Sequence, residues 1–336
     1  MKILIITDAY EQVNGVVNTI NNIKKELEKK YEVCILSHKN FKTTKLPFYK
    51  EIKVAINPWK IKKEIEKENP DFIHIATEGP VGLFGKMYCD KRKIPYSTSY
   101  HTMFPEYLDK TLCIPKNLSY KYFRWFHKKS KSVLVTTKSM IELLSSKKFN
   151  NLVEWTRGVD LELFNPNYEN ILNGLERPIY INVGRVSKEK NLEALLNAQE
   201  LPGTILIIGD GPMLEKYKKD YPLAVYAGYK HGKELAQYLA SSDYFVFPSK
   251  TDTFGLVNIE ALACGLPVIA YDVQGPKDII TNNKDGILAK DDIDFYLAFS
   301  RIKNINKEEC IAKSKKYTWE ACAEIFEKNL QYIKNN

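Results

Sequence analysis

The chain has 336 residues, 44% apolar and 27% charged, with a formal net charge of +9. That length predicts about two globular domains, and no run of about 18 apolar residues exists from which to build a membrane-crossing helix. Residues 1–164 carry 29 Lys and Arg against 18 Asp and Glu, the remainder 21 against 23. A basic half calls for an anionic partner: a membrane surface, a nucleic acid or a charged substrate.

MKILIITDAY opens the chain and reads as a first strand, because its apolar run lacks the small-residue cleavage site of a signal peptide. A helical pattern follows from about Val16 to Lys29. Strands are predicted at EVCIL (32–36), DFIHIA (71–76), PYSTSYH (95–101) and SVLVTT (132–137). After an irregular stretch rich in Pro and Gly, from Arg157 to Pro178, the pattern restarts. PIYINVG (178–184), TILIIG (204–209), YFVFP (244–248) and PVIAY (267–271) are further strands. These runs are continuously apolar rather than alternating, as parallel strands covered on both faces require. Strand–helix alternation occurs twice, which predicts two doubly wound, Rossmann-like α/β domains. The expected boundaries are 1–165, 166–317 and a final amphipathic helix at 318–336. Trp319, Cys322, Ile325, Phe326 and Leu330 share one face of that helix.

The six cysteines (Cys34, Cys89, Cys113, Cys264, Cys310 and Cys322) are scattered without a C-x-x-C pair. Reduced cytoplasmic thiols are expected, with neither a disulfide framework nor a zinc site. There is no G-x-G-x-x-G and no G-x-x-x-x-G-K-[ST], so the dinucleotide fingerprint and the P-loop are both missing.

Three strand ends carry distinctive chemistry. Asn14-Gly15 opens the first helix, where backbone N–H groups and the helix dipole favour an anion; ordinary turn chemistry is the plainer reading. In VGRVSKEKN (183–191), Arg185 and Lys190 follow a strand and can clamp a diphosphate, or can be a solvated charge pair. In SKTDTFGLVNIEALACGLPV (249–268), Asp252 precedes a helix and Glu260 lies within it, with Gly255 at the turn. A little over two helical turns separate the acids, so they suit two separate parts of one extended ligand; a capping Asp and a surface Glu are the alternative. The one D-x-D, Asp292 to Asp294, reads as a helix start.

Residues 116–131, KNLSYKYFRWFHKKSK, contain six Lys or Arg, no acid and five aromatics. Lys121, Arg124, Lys128 and Lys131 form one helical stripe; Leu118, Tyr122, Trp125 and Phe126 form its neighbour. A basic amphipathic helix with Trp and Phe is the pattern of interfacial membrane binding, each cation adding about 1 kcal/mol near an anionic surface. The alternative is a helix that packs its aromatics into the core.

Together NGV (14–16), RGVDLELFNP (157–166), GRVSKEKNLEALL (184–196), GDGP (209–212), GYKHGKELAQYLASSDYFVFPS (228–249) and the Asp252–Glu260 stretch resemble retaining GT-B glycosyltransferases of family 4. The resemblance implies two facing Rossmann-like domains, a nucleotide-sugar donor and a C-terminal helix that crosses back to the N-terminal domain. It places Asp252 on sugar hydroxyls, Glu260 on the ribose, and Arg185 and Lys190 on the diphosphate. Gly15, Gly209, Phe254, Gly255 and Leu256 complete the donor site. The family's first acid is Glu; here it is Asp, one methylene shorter. IHIATEGPVG (73–82) and SYHTMFPEYL (99–108) resemble bacterial diacylglycerol glycosyltransferases related to sulfoquinovosyl diacylglycerol synthase. That likeness makes His101 an active-site histidine and Glu78 and Tyr100 acceptor-site candidates.

The expected activity is therefore metal-independent, cofactor-free transfer of a hexose or hexuronic acid from a UDP-sugar, UDP-glucose favoured, to diacylglycerol. The expected place is the cytoplasmic face of an anionic membrane, with no nucleic acid as partner. The runner-up is a GDP-mannose-dependent mannosyltransferase acting on a phosphoinositide or saccharide. A sugar-nucleotide epimerase leaves the basic aromatic helix unexplained, and a basic binding protein leaves the Arg185, Lys190, Asp252 and Glu260 constellation unexplained.

Overall fold

The computed structural model describes residues 1–10, 15–46, 49–112, 114–198 and 200–335. Asn14 and Cys113 lie outside that set. The chain forms two units, one of residues 1–157 with 319–336, the other of residues 158–318.

The first unit runs β1 (Lys2–Thr7), α1 (Gly15–Leu27), β2 (Glu32–Ser37), β3 (Thr43–Leu46), β4 (Tyr49–Ala55), α2 (Ile61–Glu68), β5 (Phe72–Ile75), α3 (Pro80–Arg92), β6 (Tyr96–Tyr100), α4 (Phe104–Leu112), α5 (Lys116–His127), β7 (Ser132–Val135), α6 (Lys138–Ser146) and β8 (Leu152–Glu154). Its main sheet is parallel, in the order β2-β1-β5-β6-β7-β8; β3 and β4 pair as a separate antiparallel ribbon. The strand order reverses between β1 and β5, so loops leaving those two strands diverge at their carboxyl ends.

The second unit runs β9 (Ile179–Val183), α7 (Glu193–Leu196), β10 (Thr204–Ile208), α8 (Leu214–Asp220), β11 (Val225–Gly228), α9 (Gly232–Ala240), β12 (Tyr244–Phe247), α10 (Leu256–Ala263), β13 (Val268–Tyr271), α11 (Pro276–Ile279), β14 (Gly286–Ala289), α12 (Asp292–Arg301) and α13 (Lys307–Ser314). Its sheet is parallel in the order β11-β10-β9-β12-β13-β14, with the reversal between β9 and β12. Along β9 the side chains alternate between two cores. Ile179, Ile181 and Val183 join the core that includes α9 and α10, and Tyr180 joins the core that includes α7 and α12. Both faces are therefore dry, and the strand is apolar but for Asn182, whose amide is satisfied by the Val246 carbonyl. Each such Ile or Leu taken out of water contributes about 1.5–3 kcal/mol. Val159 and Phe164 pack in this unit's core, within the stretch that the sequence suggests as a seam.

The final helix, α14 (Trp319–Asn335), belongs to the first unit. Phe326 is fully buried and packs edge-on to Phe72 and His74 and tilted against Trp155. The Trp155 indole N–H donates to the Cys322 carbonyl at 3.0 Å, and the Cys322 thiol donates to the Thr156 carbonyl at 3.0 Å. Lys30, just past α1, pairs with Glu327 at 3.1 Å. Truncating Phe326 to Ala removes this anchor and costs about 3–5 kcal/mol. Lys328→Ala, on the exposed side, changes stability by no more than about 0.5 kcal/mol. Urea denaturation followed by tryptophan fluorescence separates the two, and equal midpoints would refute the anchoring role.

Candidate functional site

At the β9/β12 reversal the two strands part. The Asn182 amide donates to the Val246 carbonyl at 2.8 Å across the gap, and beyond it the loops after β9 and β12 face one another. Arg185 follows β9 in the first loop and is exposed. Lys190 ends a short turn in that loop, and its ammonium donates to both carboxylate oxygens of Asp252 at 2.8 Å. Burial alone would raise the Asp252 carboxyl. The Lys190 ammonium beside it outweighs that and holds it below the usual carboxylate range. Both partners are partly open to water, so the bridge contributes little stability. It fixes a cation and an anion at one place instead.

Gly255 caps α10 with φ +82°, a left-handed conformation that costs glycine nothing. The turn starts α10 at Leu256, four residues after Asp252, and a helix's first N–H groups favour an anion. Phe254 is buried with its ring against Tyr317, so its ring is a core group and only its backbone can face a donor. Leu256 is half-buried. Glu260 lies on the buried run of α10, where burial pushes its carboxyl up to about 7. Gly209 closes the site from the β10 side. A Cβ there would stand 1.9 Å from the Gly184 carbonyl oxygen, so only glycine lets the two loops approach.

In the first unit, His101 follows β6 and is buried. Its Nδ1 lies 2.9 Å from Nη2 of Arg157. Burial, then the Arg157 charge, pull its pKa well below the ordinary histidine value. Gly15 is the first residue of α1. Glu78 follows β5 but is only 6% exposed; its Oε1 lies 3.3 Å from Nε2 of His127, and its carbonyl accepts from the Tyr122 hydroxyl at 3.2 Å. That pairing makes Glu78 a tie between β5 and α5. Tyr100 is fully buried and packs against Phe123 and Phe149. β6 is buried on both faces, so Tyr100 is a core side chain, which corrects the acceptor-site expectation for it.

The basic segment forms α5, and its faces divide differently from the predicted stripes. Phe126 is fully buried with Phe123, Tyr120 and His127, a correction to its place on the interfacial stripe. Leu118, Tyr122 and Trp125 remain exposed at 61%, 38% and 49%, one apolar ridge at helical spacing. Lys121 and Lys128 are exposed beside it. Arg124 is half-buried and donates to the Lys147 carbonyl at 3.1 Å, and Lys131 lies past the helix end.

Sequence reasoning misses Asp8, the residue after β1. Its carboxylate accepts from the Val81 and Gly82 N–H groups at the start of α3 and from the Thr77 hydroxyl. Burial nonetheless pushes it up to about 6. An acid placed directly after a strand is the signal that could have found it. Arg157 sits inside the RGVD motif but gives no sequence hint that it would reach His101.

The architecture and this constellation define a GT-B glycosyltransferase. The N-terminal half, residues 13–163, matches the family described as Glycosyltransferase Family 4, and residues 167–316 match Glycosyl transferases group 1. The chain belongs to the GT-B glycosyltransferases of family 4 and is thus a sugar-transferring enzyme. It is 36% identical to the sulfoquinovosyl transferase of Arabidopsis thaliana over 71% of this chain and half of that protein's length. It is 27% identical to a GDP-mannose-dependent alpha-mannosyltransferase of Mycobacterium tuberculosis, over 86% of this chain and 83% of that protein. It is equally 27% identical to an alpha-monoglucosyldiacylglycerol synthase of Streptococcus pneumoniae, over 86% and 75%. Among solved structures, a sucrose-phosphate synthase from Thermosynechococcus elongatus shares the fold, with a TM-score of 0.83, 19% identity and 99% of each chain covered.

The buried histidines make the first unit acid-sensitive. His74, between Ser97 and Ser99, is held down to about 3 by burial and then by Arg157. Below about pH 6.5, the ordinary histidine value, the unfolded chain takes up protons at His74 and His101 that the folded chain refuses. Asp8 works the other way between about 6 and 3.8, because there the folded chain holds the extra proton. With two groups against one, the unfolded chain takes up more protons, so stability falls as pH is lowered. All four tryptophans (Trp59, Trp125, Trp155 and Trp319) lie in this unit, so their fluorescence follows it alone. The melting midpoint is expected to drop between pH 6.5 and 4.5, with a shallower slope in His74→Gln. A midpoint that is flat or rises on acidification contradicts the assignment.

Proposed function

We propose that the enzyme transfers a hexose or hexuronic acid from a UDP-sugar, UDP-glucose first among them, to diacylglycerol at an anionic membrane surface, with retention at the anomeric carbon. The observation that carries the proposal is the Lys190–Asp252 pair held at the strand reversal beside the N-terminus of α10. It offers a cation for a diphosphate and an anion for sugar hydroxyls within one side-chain contact. The lipid acceptor is supported by the name of the Streptococcus pneumoniae relative and by the exposed Leu118, Tyr122 and Trp125 ridge among lysines on α5.

In this reading, Glu260 holds the ribose, and Arg185, Lys190 and the N–H groups beyond Gly255 hold the diphosphate. As the bond from the sugar to the phosphate oxygen breaks, negative charge grows on that oxygen. Fixed donors stabilise it, and losing one costs about 3 kcal/mol, roughly a hundredfold in rate. The acceptor hydroxyl attacks the same face and passes its proton to the departing phosphate oxygen. His101 orients the sugar or acceptor. This positive clamp supplies the charge stabilisation that a divalent cation gives other enzymes, and we assign the reaction no metal. The GDP-mannose reading has the Mycobacterium tuberculosis relative in its favour, and donor competition distinguishes the two.

The test is nucleoside diphosphate release by purified protein offered UDP-glucose, UDP-galactose, UDP-glucuronate or GDP-mannose, with and without anionic vesicles containing diacylglycerol. Release from a UDP-sugar that requires diacylglycerol is expected. Asp252→Ala and His101→Ala should each lower it about a hundredfold. Full activity in both would remove the site assignment, and lipid-independent release would remove the acceptor.

Glu260 adds a pH signature. Its ionised form accepts hydrogen bonds, and in the free protein it ionises near 7. UDP-glucose, which has no group titrating near neutrality, should bind about tenfold more tightly at pH 8 than at pH 6. Glu260→Gln should abolish the difference in calorimetric titrations; an unchanged pH profile in that variant would place the ribose elsewhere.

A further inference from the structure

The RGVD arginine has a task that its motif does not disclose. Arg157 ends the N-terminal segment of the first unit and is 3% exposed. Its Nη1 donates to the Trp155 carbonyl at 2.7 Å and to the Thr156 carbonyl at 3.0 Å, and its guanidinium stacks 4.5 Å from the Trp155 ring. Its Nη2 reaches Nδ1 of His101 at 2.9 Å. Burial lowers the guanidinium to about 10, which still leaves it charged at neutral pH.

A guanidinium has five N–H donors and no lone pair to offer. The contact at Nδ1 can therefore form only if Nδ1 carries no proton. An imidazolium, or the tautomer with hydrogen on Nδ1, would set two N–H groups against each other. We infer that Arg157 is a positioning residue that locks His101 as the neutral tautomer with its hydrogen on Nε2, so that the ring acts only as a hydrogen-bond donor. The charged and titratable groups around His101 fit that state. Arg157, His74 and His127 all disfavour a cationic ring, and the carboxylate beside His127, Glu78, is engaged by His127 itself.

The chemical consequence is specific. A ring protonated on Nε2 and blocked on Nδ1 cannot take a proton from an attacking hydroxyl. It can donate to a sugar or acceptor oxygen, and the acceptor's proton must go elsewhere. The tautomer itself rests on geometry within the first unit; only its consequence for turnover rests on the role proposed for His101.

The experiment is long-range proton–nitrogen NMR of the full chain labelled with ¹⁵N-histidine. There are five histidines, and His101→Gln identifies the resonances of interest by their loss. In the wild type, His101 should show a protonated Nε2 and a bare Nδ1, with no titration between pH 5.5 and 8. In Arg157→Met, the same ring should become a tautomer mixture and its titration should move upward from the wild type's, while burial still keeps it below the ordinary histidine value. In the transfer assay, Arg157→Met should lose at least tenfold in kcat with little change in KM for UDP-sugar, and should acquire an acidic limb in its pH profile. His101→Gln, which keeps an N–H donor near the Nε2 position, should retain more turnover than His101→Ala.

A wild-type His101 carrying its proton on Nδ1, or cationic at pH 7, overturns the inference, and that measurement stands even if Arg157→Met fails to fold. If the tautomer is as stated but His101→Ala keeps full turnover, the lock survives and the catalytic role of His101 falls.

Discussion

A parallel sheet covered by helices on both faces leaves a ligand one place to go: beyond the carboxyl ends of its strands, where the order reverses and the loops part. The second unit obeys that constraint at β9 and β12. Its apolar strands bury both faces, so apart from Asn182 near the end of β9 the polar side chains of consequence gather in the loops. Asn182 spans the parting strands, Lys190 and Asp252 meet across them, and Gly255 caps the start of α10 three residues after Asp252. The glycine at position 209 serves the same end by letting the loops after β9 and β10 touch backbone to backbone.

The first unit uses its strand ends differently. Asp8, Glu78 and His101 follow β1, β5 and β6, yet all three are mostly buried and engaged by other groups: Asp8 by the start of α3, Glu78 by His127 of α5, His101 by Arg157. Buried polar groups of this kind are costly unless satisfied, and their satisfaction fixes α3, α5 and the end of β8 around one another. The basic helix α5 is thereby tied to the β5 loop through both His127 and Tyr122. Its inner face is core and its outer face is an aromatic ridge among lysines.

Much of this was legible in the sequence. All nine strands expected from continuous apolar runs are present, with ends within a residue or two of those expected. The strands that escaped detection are those with a weak apolar signal: the ribbon β3–β4 with its lysines, the three-residue β8, and the four-residue β11 and β14, each with glycine at one end. Spacing alone placed Lys190 and Asp252 at facing strand ends, because strand–loop–helix grammar fixes where such loops lie. It could not show which of Trp125 and Phe126 faces water. Both suit an apolar stripe, and only the packing of Phe126 into the core that holds β1, β5 and α3 decides. Nor could it find Arg157 and His101 as partners, since their contact spans 56 positions in sequence.

The most direct measurement of the account's central claim is hydrogen–deuterium exchange of the full chain with and without a saturating UDP-sugar. Protection concentrated at residues 184–190, 209–212 and 249–260 is the predicted result, because those segments bear the backbone that would meet a diphosphate and its sugars. Protection that spares those segments and appears elsewhere in the second unit would contradict the placement of the donor site at the strand reversal.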